Sequence, residues 1–319
     1  MSTVMNNIKK IKAVILAAVM LTVFCLTGCR HAEEKSAGGL KIVTTIFPPY
    51  DFVREITGGE CDIQILLKPG QESHSYEPTI KDILAIQDCD LFIYVGGESD
   101  VWVDDILSSF DTPVNALRLV DLCDTKEELH IEGTEEHDHG EDKHSPDEHV
   151  WTSLKNAQDI CRGICDELCR TDGENADLYT KNCADYCEKL NALDGEFTEV
   201  VNGGKRKTLV FGDRFPFRYL ADDYGLECYA AFSGCSDETE PSAATFSFLI
   251  DKIEQEDIPT VLYIEFSAEN AARAIAEQTG CEARLFHSCH NVSKEDIQNG
   301  VTYISLMENN LEVLKEALY

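Results

Sequence analysis

"NADLYTKNCADYCEKLNALDGEFTEVV", residues 175 to 201, decides how the rest of the chain is read. The stretch is helical in pattern, carries no proline, and is stopped by Gly203 and Gly204. On either side of it strands and helices alternate. Before it, "LKIVTTIFPPY" opens as a buried strand halted by a double proline, followed by a short helix in "DFVREITGG". "CDIQILLKPG", "LFIYVGG" and "VNALRLVDL" read as further strands, with helices in "TIKDILAIQDCD" and "VWVDDILSSF" between them. After it come the strands "KTLVFGD", "LECYAAF", "PTVLYIEF" and "EARLFHS", again separated by helices, the last in "VTYISLMENNLEVLKEALY". Alternation of this kind predicts parallel sheets covered by helices. The fold class is therefore α/β, with two lobes, each a parallel sheet covered by helices, joined by one long connecting helix.

At 319 residues the chain has room for two such lobes with cores of their own. Residues 1–29 read as a sorting signal: Lys9, Lys10 and Lys12 precede the apolar run "AVILAAVMLTVFCLTG", which is short for a membrane span. "LTGC", ending at Cys29, has the form of a bacterial lipobox, so Cys29 is the expected lipidation site. Residues 30–39 are a tether, 40–174 the N-terminal lobe with a His/acidic loop at 130–148, 175–202 the connecting helix, and 203–319 the C-terminal lobe. This places the protein on the extracytoplasmic face of a cell membrane, lipid-anchored.

A formal net charge of -32 excludes nucleic acid as a partner, since phosphate binding needs a basic face. Of the fourteen cysteines, twelve lie beyond Cys29. Cys161, Cys165 and Cys169 recur every four residues, as do Cys183 and Cys187, which lines each set along one side of a helix. Such cysteines serve as small core hydrophobes; a thiolate metal site is the alternative.

The whole chain has nine histidines, and five of them fall in "HIEGTEEHDHGEDKHSPDEHVW", residues 130 to 151, among eight carboxylates. Neutral imidazole is the commonest side-chain metal ligand. The tract lacks the apolar residues to form a core, which makes His130, His137, His139 and His144 an auxiliary collecting loop for metal. His149 differs, because Val150, Trp151 and a helical pattern come directly after it and anchor it. His74, His149 and His287 each fall at a strand end or in the loop beyond, where open α/β sheets bind ligands, so a cleft between the lobes would collect them.

"TTIFPPYDFVREITGG", "LLKPGQESHSYEPTIKDILAIQDCDLFIYVGG", the acidic histidine tract ending in "DEHVW", and "FRYLADDYGL" together resemble the metal-binding lipoproteins (cluster A-I) of bacterial zinc and manganese ABC importers. The resemblance covers nearly the whole mature chain. It implies capture of Zn(II) in an interdomain cleft and delivery to an ABC permease and its ATPase, by a monomer that is not an enzyme. His74 matches the family's first ligand and His149 its second. The third, a histidine or glutamate three residues before the first aromatic of the F-x-Y motif, is replaced here by Arg214, and Asp213 is taken as its substitute. The fourth falls near His287, with His290, Cys289 and Glu265 in reserve. Two or three imidazoles with one carboxylate suit tetrahedral zinc; manganese, which prefers more oxygen ligands, is the alternative cargo. A zinc-buffering protein or an adhesin without a transport role are rival readings. A metallohydrolase would need an open coordination position and a nearby acid or base such as Glu72 or Glu265, and no H-E-x-x-H motif is present.

Overall fold

The computed structural model describes residues 39–71, 76–128, 146–234 and 241–319. The lipobox at Cys29, His74, and the loop histidines His130, His137, His139 and His144 lie outside them. Residues from Leu40 to Tyr319 form one compact unit.

The N-terminal sheet has strands β1 (Lys41–Thr44), β2 (Asp62–Ile65), β3 (Leu91–Tyr94) and β4 (Ala116–Arg118), in the order β2-β1-β3-β4 and parallel throughout. The C-terminal sheet repeats the plan with β5 (Thr208–Arg214), β6 (Glu227–Phe232), β7 (Thr260–Tyr263) and β8 (Glu282–Leu285), in the order β6-β5-β7-β8. In each sheet the chain leaves the first strand in one direction and returns on its other side. That reversal opens a crevice beyond the carboxyl ends of the central strands, β1 and β3 in one lobe and β5 and β7 in the other.

Helix α1 (Phe47–Thr57) begins earlier than the sequence suggested. Its two prolines do not precede the helix but occupy its first turn, where a missing N–H costs nothing. Gly58, at φ 67, closes it in the left-handed region that favours glycine. Helices α2 (Ile80–Asp88) and α3 (Val101–Ser109) complete the alternation of the first lobe. Of "VNALRLVDL" only three residues pair as β4; Leu119–Leu122 turn into a 3-10 helix. A second such turn, Val150–Thr152, separates His149 from α4 (Leu154–Thr171), which Ser153 caps through the amides of Lys155 and Asn156.

The long helix α5 runs Ala176–Gly203. It buries Tyr179, Cys183, Tyr186, Cys187, Leu190, Leu193, Phe197, Val200 and Val201, a stripe at three- and four-residue steps. Against that stripe pack α4, α1 and, from the other end of the chain, α10 (Tyr303–Leu318). The C-terminal lobe is completed by α6 (Arg218–Tyr224), α7 (Ala243–Glu256), α8 (Asn270–Thr279) and α9 (Lys294–Gln298), the last a five-residue helix that the sequence pattern did not announce.

The two lobes do not have fully separate cores. One apolar cluster runs from Ile42, Phe52 and Leu91 of the first lobe through Leu190 and Phe197 of α5 to Phe211, Phe286 and Leu314 of the second. Only the outer faces carry clusters of their own, around Phe92 and Ile86 on one side and Val261 and Ile275 on the other. Asp51 of α1 ties the joint between segments far apart in the chain: its Oδ2 accepts the Tyr303 N–H, 2.7 Å away, at the start of α10. Burial pushes this carboxyl up to about 6, although the Arg54 guanidinium beside it pulls the other way.

Candidate metal centre

The segment Asp147–Glu148–His149 emerges from the histidine tract and is buried at once, His149 completely. Its start is pinned by a bridge between Glu127 and Pro146 and by the Asp147 N–H donating to the Lys126 carbonyl at 2.8 Å. Charged side chains buried in a row need partners, and each has one. Glu148 accepts from the Ser99 N–H at 2.9 Å and from its hydroxyl at 2.5 Å. Asp147 Oδ1 accepts the His149 N–H at 2.8 Å and lies 2.9 Å from His149 Nδ1. That contact places the ring proton on Nδ1 and leaves Nε2 as the basic nitrogen of the neutral imidazole, the arrangement by which a carboxylate orients a metal-ligating histidine. Burial by itself lowers the His149 pKa, but the Asp147 carboxylate, joined by Glu148 and Glu128, outweighs it and the net shift is upward. Asp147 is correspondingly held below the usual carboxylate range, His149 overcoming its desolvation.

The second lobe answers from the chain beyond β8. Glu265, two residues past β7, accepts the Ser288 N–H at 2.7 Å, the Ser288 hydroxyl at 2.6 Å and the His290 N–H at 3.2 Å. These bonds gather residues 288–290 into a turn whose apex, Cys289, sits at φ 62. The His290 carbonyl accepts the Phe47 N–H from the first lobe at 3.2 Å. The imidazoles of His149 and His290 meet edge to face, ring centroids 5.8 Å apart, with the Trp151 ring tilted against His290 at 4.9 Å. Trp151 is itself tied across the lobes, donating from Nε1 to the Ser288 carbonyl at 2.8 Å.

A pocket opens between these groups, lined by His149, Arg214, Gly234, Glu265, His290 and Asn291, with Gln71 at its rim. Gly234 comes so close that a Cβ there would sit 3.3 Å from His149 Cε1. Gln71 is the last described residue before His74, and its carbonyl accepts from the Asn291 side chain at 2.9 Å.

Of the residues singled out in the sequence, His149 lines this pocket, and the reserves His290 and Glu265 line it too. His287 does not. Its Nδ1 accepts the Cys289 N–H at 2.9 Å and stands 3.4 Å from Glu265 Oε1, while its backbone is held by Asn310. Asp213 does not line it either: one oxygen accepts the Arg214 N–H at 2.8 Å and the other the Ile264 N–H at 3.1 Å, which locks the end of β5 to β7. Burial raises its pKa. Arg214 beside it lines the pocket, at the point where the pairing register of β5 with β6 shifts. Among the described residues no three His, Cys, Asp or Glu side chains converge on one point, so a complete coordination set needs a donor from outside them.

Two parallel-sheet lobes sharing one long helix, with imidazoles from both facing a common cleft, define a two-lobed binding protein. Residues 42–317 match the family described as ZnuA, zinc-uptake complex component A, periplasmic, and the chain belongs to that family. It is 33% identical over 310 residues to the high-affinity zinc uptake system protein ZnuA of Bacillus subtilis, covering 96% of each chain. It is 32% identical over 311 residues to the zinc-binding lipoprotein AdcA of Streptococcus pneumoniae, covering 96% of this chain and 61% of that one. The chain thus spans about three-fifths of the length of its AdcA relatives. The crystal structure of the Zn(II)-bound ZnuA-like domain of Streptococcus pneumoniae AdcA superposes with a TM-score of 0.71 at 31% identity, covering 88% of this chain and 99% of that one. The metal-dependent lipoprotein YcdH of Bacillus subtilis gives 0.74 at 28% identity, covering 88% and 100%.

Proposed function

We propose that this protein is the extracytoplasmic binding protein of a zinc ABC importer: it captures Zn(II) between its lobes and hands it to a permease driven by an ATPase. The observation that carries the reading is the buried pair His149 and His290, one imidazole from each lobe, with the first oriented by Asp147. His74, three positions after the pocket-lining Gln71 in sequence, supplies the third imidazole. His290 replaces His287 in this set because it lines the pocket and His287 does not. A nitrogen-rich site favours zinc over manganese, both by geometry and by intrinsic affinity order. The role is binding and release without bond chemistry. Family membership and likeness to zinc-binding relatives support it.

The mature protein acts as a monomer held to the outer face of the membrane by lipid on Cys29. No helix among the described residues is long and apolar enough to cross a membrane. The tract carrying His130, His137, His139 and His144 concentrates zinc at the entrance by tethering weak sites close to the tight one. The test is competitive titration of metal-free protein with Zn(II) and Mn(II), on the parent and on the variants His74→Ala, His290→Ala and His287→Ala. One tight zinc site that outcompetes manganese is expected, lost on changing His74 or His290 and kept on changing His287. Unchanged affinity in both His74→Ala and His290→Ala would sink the proposal.

A further inference from the structure

The chain segments on either side of residues 129–145 meet antiparallel, with Glu127 bridged to Pro146 and Lys126 opposite Asp147. A pair placed like Lys126 and Asp147 ordinarily exchanges two backbone hydrogen bonds. Here only one is direct, from the Asp147 N–H to the Lys126 carbonyl at 2.8 Å. In place of the other, a hydroxyl from the second lobe is inserted. Tyr219 Oη accepts the Lys126 N–H at 3.1 Å and donates to the Asp147 carbonyl at 2.7 Å.

A hydroxyl can accept and donate at a single atom, which is what this gap in the ladder requires. Phenylalanine would fill the same volume, since Tyr219 is only 2% exposed, but it would leave a backbone N–H and a backbone carbonyl without that partner. The same helix, α6, grips the first lobe at further points. Lys126 Nζ lies 2.5 Å from Asp222 Oδ2, Arg218 Nε donates to the Glu127 carbonyl at 3.3 Å, and the Ser153 hydroxyl donates to Asp223 at 2.5 Å. Asp147 holds His149 through both ring and backbone, so the two residues move as one. A ligand of the first lobe is thus located from the second.

We propose that Tyr219 is a positioning residue of the metal site: Asp147 aims the His149 ring, and Tyr219 fixes where that aimed pair stands against His290 across the cleft. The inference rests on the reading of His149 and His290 as zinc ligands. Zinc shared by imidazoles of both lobes needs them at one separation, which the inserted hydroxyl maintains. Bound zinc and the Tyr219 bridge therefore strengthen one another. Moving α6 away from the first lobe breaks the bridge and loosens the site, which couples lobe movement to release of the metal.

The experiment compares Tyr219→Phe with Tyr224→Phe in the full chain. Tyr224 lies on the same helix and is also buried, but its hydroxyl donates to Asp194 on α5, at 2.7 Å. Zinc affinity is read by competition with a chromophoric chelator, and site geometry by the visible absorption of cobalt(II) bound in place of zinc. Tyr219→Phe should weaken zinc about fivefold, the contribution of one net hydrogen bond, and alter the cobalt(II) bands. Tyr224→Phe should match the parent in both. In the unmodified protein, zinc should slow exchange of the Lys126 amide hydrogen by the same factor, a measurement that needs no variant to fold. Parent affinity and parent cobalt(II) bands in Tyr219→Phe, equal weakening in both variants, or Lys126 exchange indifferent to zinc overturns the proposal. His149→Ala tells this failure from that of the zinc reading: if it keeps parent affinity both fall, and if it loses tight zinc only the role of Tyr219 falls with those results.

Discussion

The two histidines of the cleft are held in opposite ways. His149 is fixed through its ring, by a carboxylate only two residues earlier in the chain, inside a segment that is fully buried. His290 is placed through its backbone, its N–H on Glu265 from the turn after β7 and its carbonyl on Phe47 from the other lobe. The first ligand therefore arrives oriented by its own local sequence. The second depends on tertiary structure being complete. Their difference separates two costs in building a metal site: aiming a ring, and bringing a loop to the right place.

Three changes test that separation. His149→Ala removes the preset ligand and should abolish tight zinc binding, a loss exceeding the roughly 10- to 100-fold typical of an outer partner. Competitive titration against a chromophoric zinc chelator measures it; retention of parent affinity would mean that the cleft is not the site. Asp147→Ala leaves the ligand but frees its ring, and should weaken zinc by about 10- to 100-fold. It should also change the pH profile. Because Asp147 raises the His149 pKa, protons compete with metal from a higher pH than at an ordinary histidine, and affinity falls as pH falls through that value. Without Asp147 the fall should begin at lower pH; an unshifted profile would show that His149 is not the titrating ligand. Glu265→Gln keeps the shape of the carboxylate and weakens its grip on the 288–290 turn. Exchanging charged for neutral hydrogen bonds costs about 1 kcal/mol, hence about fivefold in affinity, with no change in the pH profile. An effect as large as that of Asp147→Ala would erase the distinction between aiming and placing.

Much of this arrangement is legible in the sequence, for reasons that also explain the rest. The helix at 175 to 201 is observed as Ala176–Gly203, because a long proline-free apolar stripe has few alternatives. Both parallel sheets are expected from alternation, and His149 is conspicuous because the apolar pair Val150 and Trp151 comes directly after it. The choice between His287 and His290 is different. They are three apart in irregular chain, and the positive φ of Cys289 between them turns one ring into the pocket and the other toward Glu265. No periodicity governs such a turn. The surroundings of Asp213 are equally hidden, since its oxygens are taken up by the Arg214 and Ile264 amides where the pairing register of β5 shifts.

The shared apolar cluster governs how the protein comes apart. Because α5 is covered on one stripe by helices from both ends of the chain, neither lobe can open fully without exposing the other's core. Unfolding should be a single cooperative event, with heat and denaturant each reporting one transition in place of two. A fragment ending before Tyr303 would leave the buried Asp51 without the Tyr303 amide and the stripe on α5 bare, so the halves should not survive expression as separate proteins. The helix Tyr303–Leu318 is thus the closing piece of the amino-terminal lobe, although more than two hundred residues separate the two in the chain.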